Sequence, residues 1–263
     1  RSSAPFTTEA ITMTKFIGTM LAAALVAGAT SPLRADDKDA TAILDKAIKA
    51  LGGEEKLAKA QTFTQAAKGT ITFGGNDAEV TSNQSVQGLD HARQEFEGSA
   101  GGNTFKGVTV VAGDKGWRKI GDDKSALEGQ ALANQKRGMY LAIVPVTLVP
   151  LKGKGFKVQA AGEEKVGDKP AVMIKGTGPD DKEFTLYFDK ETGLPLKIVG
   201  KVVAPTGDEF LQEITYSDYK EMGGIKKATK ITATRDGAKF LNQEITDFKV
   251  VDKLDSKTFA EPE

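Results

Sequence analysis

The chain has 263 residues, with 36 Lys plus Arg, 36 Asp plus Glu, one histidine and no cysteine. The missing cysteines exclude disulfides, thiolate zinc sites and a thiol nucleophile, and one histidine cannot supply the two or three His ligands common in catalytic zinc sites. The balanced charge offers no basic excess to nucleic-acid phosphates, so no nucleic-acid partner is expected.

The first feature along the chain is a leader. Residues 13–35, MTKFIGTMLAAALVAGATSPLRA, place Lys15 before an apolar run from Phe16 to Ala29, then Pro32, then Ala35 ahead of Asp36. That is the layout of a secretory signal peptide cleaved after Ala35. Residues 1–12 read as a mis-extended start before Met13. With no cysteine for acylation beside the cleavage site, the expected product is a soluble periplasmic protein, residues 36–263, folded as one domain. Without Arg1, Lys15, Arg34 and Glu9 it keeps 33 basic and 35 acidic residues, a net charge of −2.

In ATAILDKAIKALGG the apolar residues Ile43, Leu44, Ala47, Ile48 and Leu51 recur every three or four positions. This predicts an amphipathic helix with Asp39 as its cap and Gly52-Gly53 as its stop. Leu57 belongs to a further helical turn. From Gln61 the period changes to two, with Phe63, Ala67, Ile71 and Phe73 on one face and Thr62, Thr64, Lys68, Thr70 and Thr72 on the other. That is a long half-buried strand. Strand-like runs follow at about 78–87, 90–97, 103–112 and 115–120, separated by glycine turns.

Residues 125–151 break this texture. They have helical composition and then an apolar stretch interrupted by Pro145 and Pro150. One or two short helices covering the sheet are expected there. Strands resume near residue 155. EFTLYFD sets Phe184, Leu186 and Phe188 against Glu183, Thr185 and Tyr187, and further alternating runs reach residue 250. Roughly eleven or twelve sequential strands with short connections imply a mainly β protein. The expected form is a strongly curved antiparallel sheet, a barrel or sandwich, with the N-terminal helix and the 125–151 insert as candidate cover for its concave face. Interior strand glycines such as Gly69, Gly107 and Gly200 suit such bending.

Catalytic signatures are few. His91 beside Asp90 reads as an exposed strand residue, and no G-x-S-x-G elbow, P-loop or dinucleotide fingerprint is present. Asp122-Asp123 and Asp180-Asp181 sit among turn residues without the spacing of a calcium loop. They read as plain turns. No catalytic residue, metal or cofactor is expected.

The mature region resembles the periplasmic lipoprotein carriers, the Lol-type outer-membrane lipoprotein-sorting family, and its looser relatives. The resemblance rests on an N-terminal helix followed by Phe63-Thr64-Gln65 and Gly69-Thr70-Ile71-Thr72-Phe73. It continues with Arg93 and Phe96 in HARQEF, and with Val110-Val111-Ala112-Gly113-Asp114-Lys115-Gly116-Trp117. In the C-terminal half it rests on Phe188-Asp189-Lys190-Glu191-Thr192-Gly193-Leu194-Pro195, the hairpin from Tyr216 to Ile225, and Leu254-Asp255-Ser256-Lys257-Thr258-Phe259.

The resemblance implies a half-open antiparallel β-barrel with helices plugging or lidding its mouth and a cavity that holds acyl chains of a lipoprotein or another lipid. Phe63, Ile71, Phe73, Phe96, Phe105, Trp117, Phe184, Leu186 and Phe188 are its candidate lining. Met139, Leu141, Ile143, Val144, Val146, Leu148 and Val149 are the candidate lid, and Arg93 matches the strand arginine that latches the lid in that family. Alternation puts Arg93 on one face with His91 and Glu95. Envelope lipoprotein-transport proteins are the implied partners, with only transient membrane contact. Three functions follow: a lipid or lipoprotein carrier, an envelope interaction or sensor module with a filled barrel, and a secreted hydrolase using paired carboxylates. A dry, open cavity would favour the first and a packed concave face the second.

Overall fold

The computed structural model describes residues 37–204 and 206–263. The leader and its cleavage site lie outside these residues. Helix α1 (Asp37–Leu51) buries Leu44, Ala47, Ile48 and Leu51 of the stripe the spacing predicts, together with Ala40, and leaves Ile43 half-buried. Asp39 falls within the first turn instead of capping it. Gly52 and Gly53, with φ of +132° and +94°, end the helix. Helix α2 (Glu54–Lys59) buries Leu57.

Thirteen strands then form one antiparallel sheet that does not close. The first six are β1 (Thr62–Phe73), β2 (Asn76–Gln87), β3 (His91–Ala100), β4 (Asn103–Ala112), β5 (Lys115–Ile120) and β6 (Asp123–Ala126). Helix α3 (Gly129–Thr147) and a 3-10 turn (Val149–Lys152) interrupt the series. The rest are β7 (Lys157–Val166), β8 (Lys169–Thr177), β9 (Glu183–Asp189), β10 (Pro195–Val203), β11 (Glu209–Met222), β12 (Ile225–Arg235) and β13 (Ala238–Val250). The spatial order runs β6 to β1, then β13 down to β7, so β1 joins β13 and the two edges are β6 and β7.

The count exceeds the expected eleven or twelve. One contributor is β6, four exposed residues with no alternation to read, held by pairing to β5. The insert is also more regular than expected. One 19-residue helix runs through Pro145, which lies near its C-terminal end, where a lost amide donor disturbs little further structure. Pro150 opens the 3-10 turn, a place where its fixed φ suits the backbone.

Alternation divides the sheet into two faces. Phe63, Ala67, Val86, Ala92, Val111, Phe184, Leu186, Phe188, Ile198 and Ile245 point inward and join α1, α2 and α3 in one apolar core. At Gly69 a Cβ would lie 2.0 Å from the carbonyl oxygen of Asn242, so β1 and β13 approach as only glycine allows. The outer face carries a small cluster of Ala171, Tyr187 and Leu196. It also receives the 3-10 turn Ser256–Phe259, whose Phe259 ring lies 5.3 Å from that of His91.

Candidate functional site

The inner face and α3 make the site. From Met139 to Leu148 every residue of α3 and its cap except Ala142 is buried. A helix apolar on nearly all sides is enclosed on nearly all sides. Leu148 ends it in the left-handed conformation at φ +59°, and its side chain is fully buried. Such backbone costs about 1 kcal/mol, less than the roughly 1.5–3 kcal/mol that burying a leucine contributes.

One charged group anchors this helix to the sheet. Arg137 is 2% exposed and its guanidinium meets four partners. Its Nε–H donates to the carbonyl oxygen of Lys201 and its Nη2–H to that of Glu183 at 2.8 Å. Its Nη1–H donates to the Tyr140 hydroxyl at 2.5 Å and to Asp180 Oδ2 at 3.0 Å. Tyr140 in turn donates to Asp180 Oδ1 at 2.7 Å.

The position explains the pairing. Phe184 and Gly200 are the last pair that β9 and β10 make with each other. Beyond them the carbonyls of Glu183 and Lys201 lose their ladder partners, and the guanidinium bridges the gap. Gly200 makes room: a Cβ there would lie 3.1 Å from Leu141 and 3.4 Å from Arg137 Nη2. Burial alone would raise the Asp180 carboxyl, but the Tyr140 hydrogen bond and the Arg137 charge hold it below its ordinary range. Burial, reinforced by Asp180, pushes the Tyr140 phenol well up. The rings of Tyr140, Phe156 and Phe184 pack within 5.8–6.2 Å of one another. A second polar tie joins Arg118 of β5 to Gln135 of α3 at 2.7 Å.

Toward the hairpin ends of the strands, the inner face is only partly covered. Phe210 of β11 and Phe240 and Leu241 of β13 form the margin of the core there, and Ile71 of β1, which pairs with Leu241, and Phe73 extend the same face beyond it. Phe73 is 58% exposed, and its ring meets Phe240 edge-on at 6.2 Å. The Arg235 guanidinium lies 3.5 Å over the Phe240 ring and 5.4 Å from that of Phe210. On β3 to β5, Phe96, Phe105 and the exposed Ile120 share this inner face.

The sequence candidates therefore separate into groups. Phe63, Phe184, Leu186 and Phe188 are buried beneath the helices, whereas Ile71, Phe73, Phe96 and Phe105 lie on the partly open margin. Trp117 pairs with Val110, one residue from the inward Val111, and so belongs to the outer face. Met139, Leu141, Ile143, Val144, Val146 and Leu148 are buried, and Val149 is half-buried in the 3-10 turn. Arg93 follows the inward Ala92 and shares the outer face with Val110. It pairs with Glu95 at 2.7 Å, and none of its described bonds reaches α3.

The helix-anchoring arginine is Arg137, which was not among the sequence candidates. Its signal was present: Arg137 shares a helical stripe with Tyr140, Leu141 and Val144, so the apolar spacing places a charge on the buried face. Asp180, read as a plain turn residue, is its partner. Arg235 with Phe210 and Phe240 is assembled by strand register and has no local signature.

No family model and no curated protein matches the sequence. Solved structures do match. A LolA superfamily protein of Nitrosomonas europaea superposes with a TM-score of 0.55 at 14% identity, over 84% of this chain and 97% of that one. A domain of Vibrio parahaemolyticus assigned to the outer membrane lipoprotein-sorting proteins gives 0.53 at 10% identity, over 85% and 97%. A DUF1329 family protein of Desulfovibrio piger gives 0.52 at 14% identity, over 84% and 97%. The chain thus has the LolA-like fold of lipoprotein-sorting structures, and at these identities the likeness is one of fold. Among the described residues no helix is long and apolar enough to cross a membrane.

Proposed function

We propose that this chain is an exported carrier-like protein that takes up an acyl chain between α3 and the inner face of the sheet. One observation carries the reading. An apolar helix lies in the concavity of an unclosed sheet, held there by the polar cluster around Arg137, beside an aromatic margin that is already partly exposed. Displacing α3 exposes apolar surface, and an acyl chain laid in its place recovers about 0.8 kcal/mol per CH₂ buried. The LolA-like fold supports the same reading by analogy.

A second reading is a filled envelope interaction module. It is favoured by the packing beneath the helices, where Phe63, Phe188, Leu148, Leu151, Ile174, Leu186 and Ile198 are all under 2% exposed. Mass spectrometry of lipids co-purifying with the exported protein, paired with titration of a fluorescent fatty acid, separates the two. Carriage predicts bound lipid and saturable uptake that is faster in Arg137→Met, where α3 is released. A protein that emerges lipid-free and gives no uptake in either form is the filled module.

A further inference from the structure

The margin beside α3 carries a feature that neutral acyl chains do not require. Arg235 sits on the inner face with its guanidinium carbon 3.5 Å from the centre of the Phe240 ring and 5.4 Å from that of Phe210, and Phe73 meets Phe240 edge-on. Its Nε–H donates to Gln212 Oε1 at 3.1 Å. Among the described residues no carboxylate pairs with it, and its two Nη groups make no hydrogen bond. The next residue, Asp236, and Glu209 on the paired strand β11 are otherwise engaged. Asp236 accepts the Leu211 N–H at 2.9 Å, and Glu209 pairs with Lys201 at 2.7 Å. A half-buried guanidinium over an aromatic ring and left with a free Nη fork is a receptor for a planar anion.

We propose that the ligand is a single-chain amphiphile with a carboxylate head, a fatty acid, whose head pairs with Arg235 while its tail follows Phe73, Phe240 and Leu241 toward α3. This rests on the carrier reading and narrows it. The free Nη pair matches the two oxygens of a carboxylate. One guanidinium balances one negative charge, whereas a phosphate monoester near neutral pH carries close to two. The apolar residues continue from the head position into the core margin, so head and tail are addressed by neighbouring groups.

The test compares dodecanoate, dodecanol, dodecyl phosphate and acetate by calorimetry on the whole protein, for wild type, Arg235→Gln and Arg235→Lys. The expected result is dodecanoate bound roughly tenfold more tightly than dodecanol by wild type. That preference disappears in Arg235→Gln, is partly kept in Arg235→Lys, and acetate does not bind. Equal affinity for dodecanoate and dodecanol in wild type overturns the head assignment and leaves the carrier reading standing. Tighter binding of dodecyl phosphate overturns the choice of carboxylate. Binding of acetate as strong as that of dodecanoate overturns the role of the apolar margin. Failure of all four overturns the carrier reading as well. The wild-type ratios decide the matter even where a variant fails to fold.

Discussion

Lys227 of β12 is 4% exposed and has no carboxylate partner among the described residues. Its ammonium faces the Phe248 ring at 5.6 Å, a cation–π contact that replaces only part of the lost hydration. Burial pushes its pKa down from 10.5 to about 8. The folded chain then releases this proton near pH 8, while the unfolded chain holds it until about pH 10.5. Between those values the unfolded state binds more protons, so stability from this residue rises with pH. Below about pH 8 the full cost of burying the charge is present. Lys227→Met should therefore be more stable than wild type near pH 7 by about 1–3 kcal/mol, with the difference shrinking as pH rises past 10. Urea unfolding of both proteins at the two pH values checks this. A gap of the same size at both would show that the methionine acts through packing alone. Alternation sets Lys227 on the face of Ile225 and Ile231 and Lys226 on that of Lys230, but what covers Lys227 there is not legible until the strand partners are known. The same holds for Arg235, whose neighbours come from other hairpins. Arg137 was legible in principle, because it falls on a helical stripe with Tyr140 and Val144.

Helix α3 shows how an element can be readable in kind and not in extent. Its composition and its apolar run marked a helical cover, and the two prolines suggested more breaks than exist. The helix continues because Pro145 is close to its C-terminal end, where one missing amide donor is cheap. What the composition could not show is how the cover is fastened. The buried guanidinium replaces the missing ladder partners of Glu183 and Lys201, and Asp180 neutralises it. Removing one member of such a pair leaves the rest unsatisfied, at roughly 3–5 kcal/mol. In Arg137→Met the amides of α3 should exchange with deuterium much faster than in wild type. Those of α1, which packs on β7, β8 and β12 through its own apolar stripe, should hold their protection. Hydrogen exchange read by mass spectrometry resolves the two helices. Equal loss of protection in both would mean that Arg137 supports the whole core and that α3 has no separate hold on the sheet.

At the scale of the whole molecule, the alternation of strands and short turns predicted a curved antiparallel sheet. Strand order, and with it the absence of closure, depends on long-range pairing that no local pattern encodes. The join of β1 to β13 brings the ends of the strand series together at the centre and leaves β6 and β7 as free edges. An open sheet of this size offers unpaired amides and carbonyls along both edges, which invites pairing with another chain. The sequence blunts these edges. Strand β6 is four residues long and includes Asp123 and Lys124. Strand β7 carries Lys157, Glu163, Glu164 and Lys165, and its pairing with β8 slips between Ala160 and Glu163, where Gly162 has a φ of +89°. A bulge twists the edge away from a flat partner, and like charges oppose a second copy of the same strand. Replacing Glu163 and Glu164 together with valine removes two charges and adds strand propensity at two exposed positions of the edge. The doubly substituted protein should self-associate more than wild type, seen in sedimentation velocity as a larger mean mass that grows with concentration and persists in high salt. The loss of the Glu163–Lys190 bridge is exposed and costs the fold little, so a mass unchanged at every concentration would show that the bulge alone protects the edge.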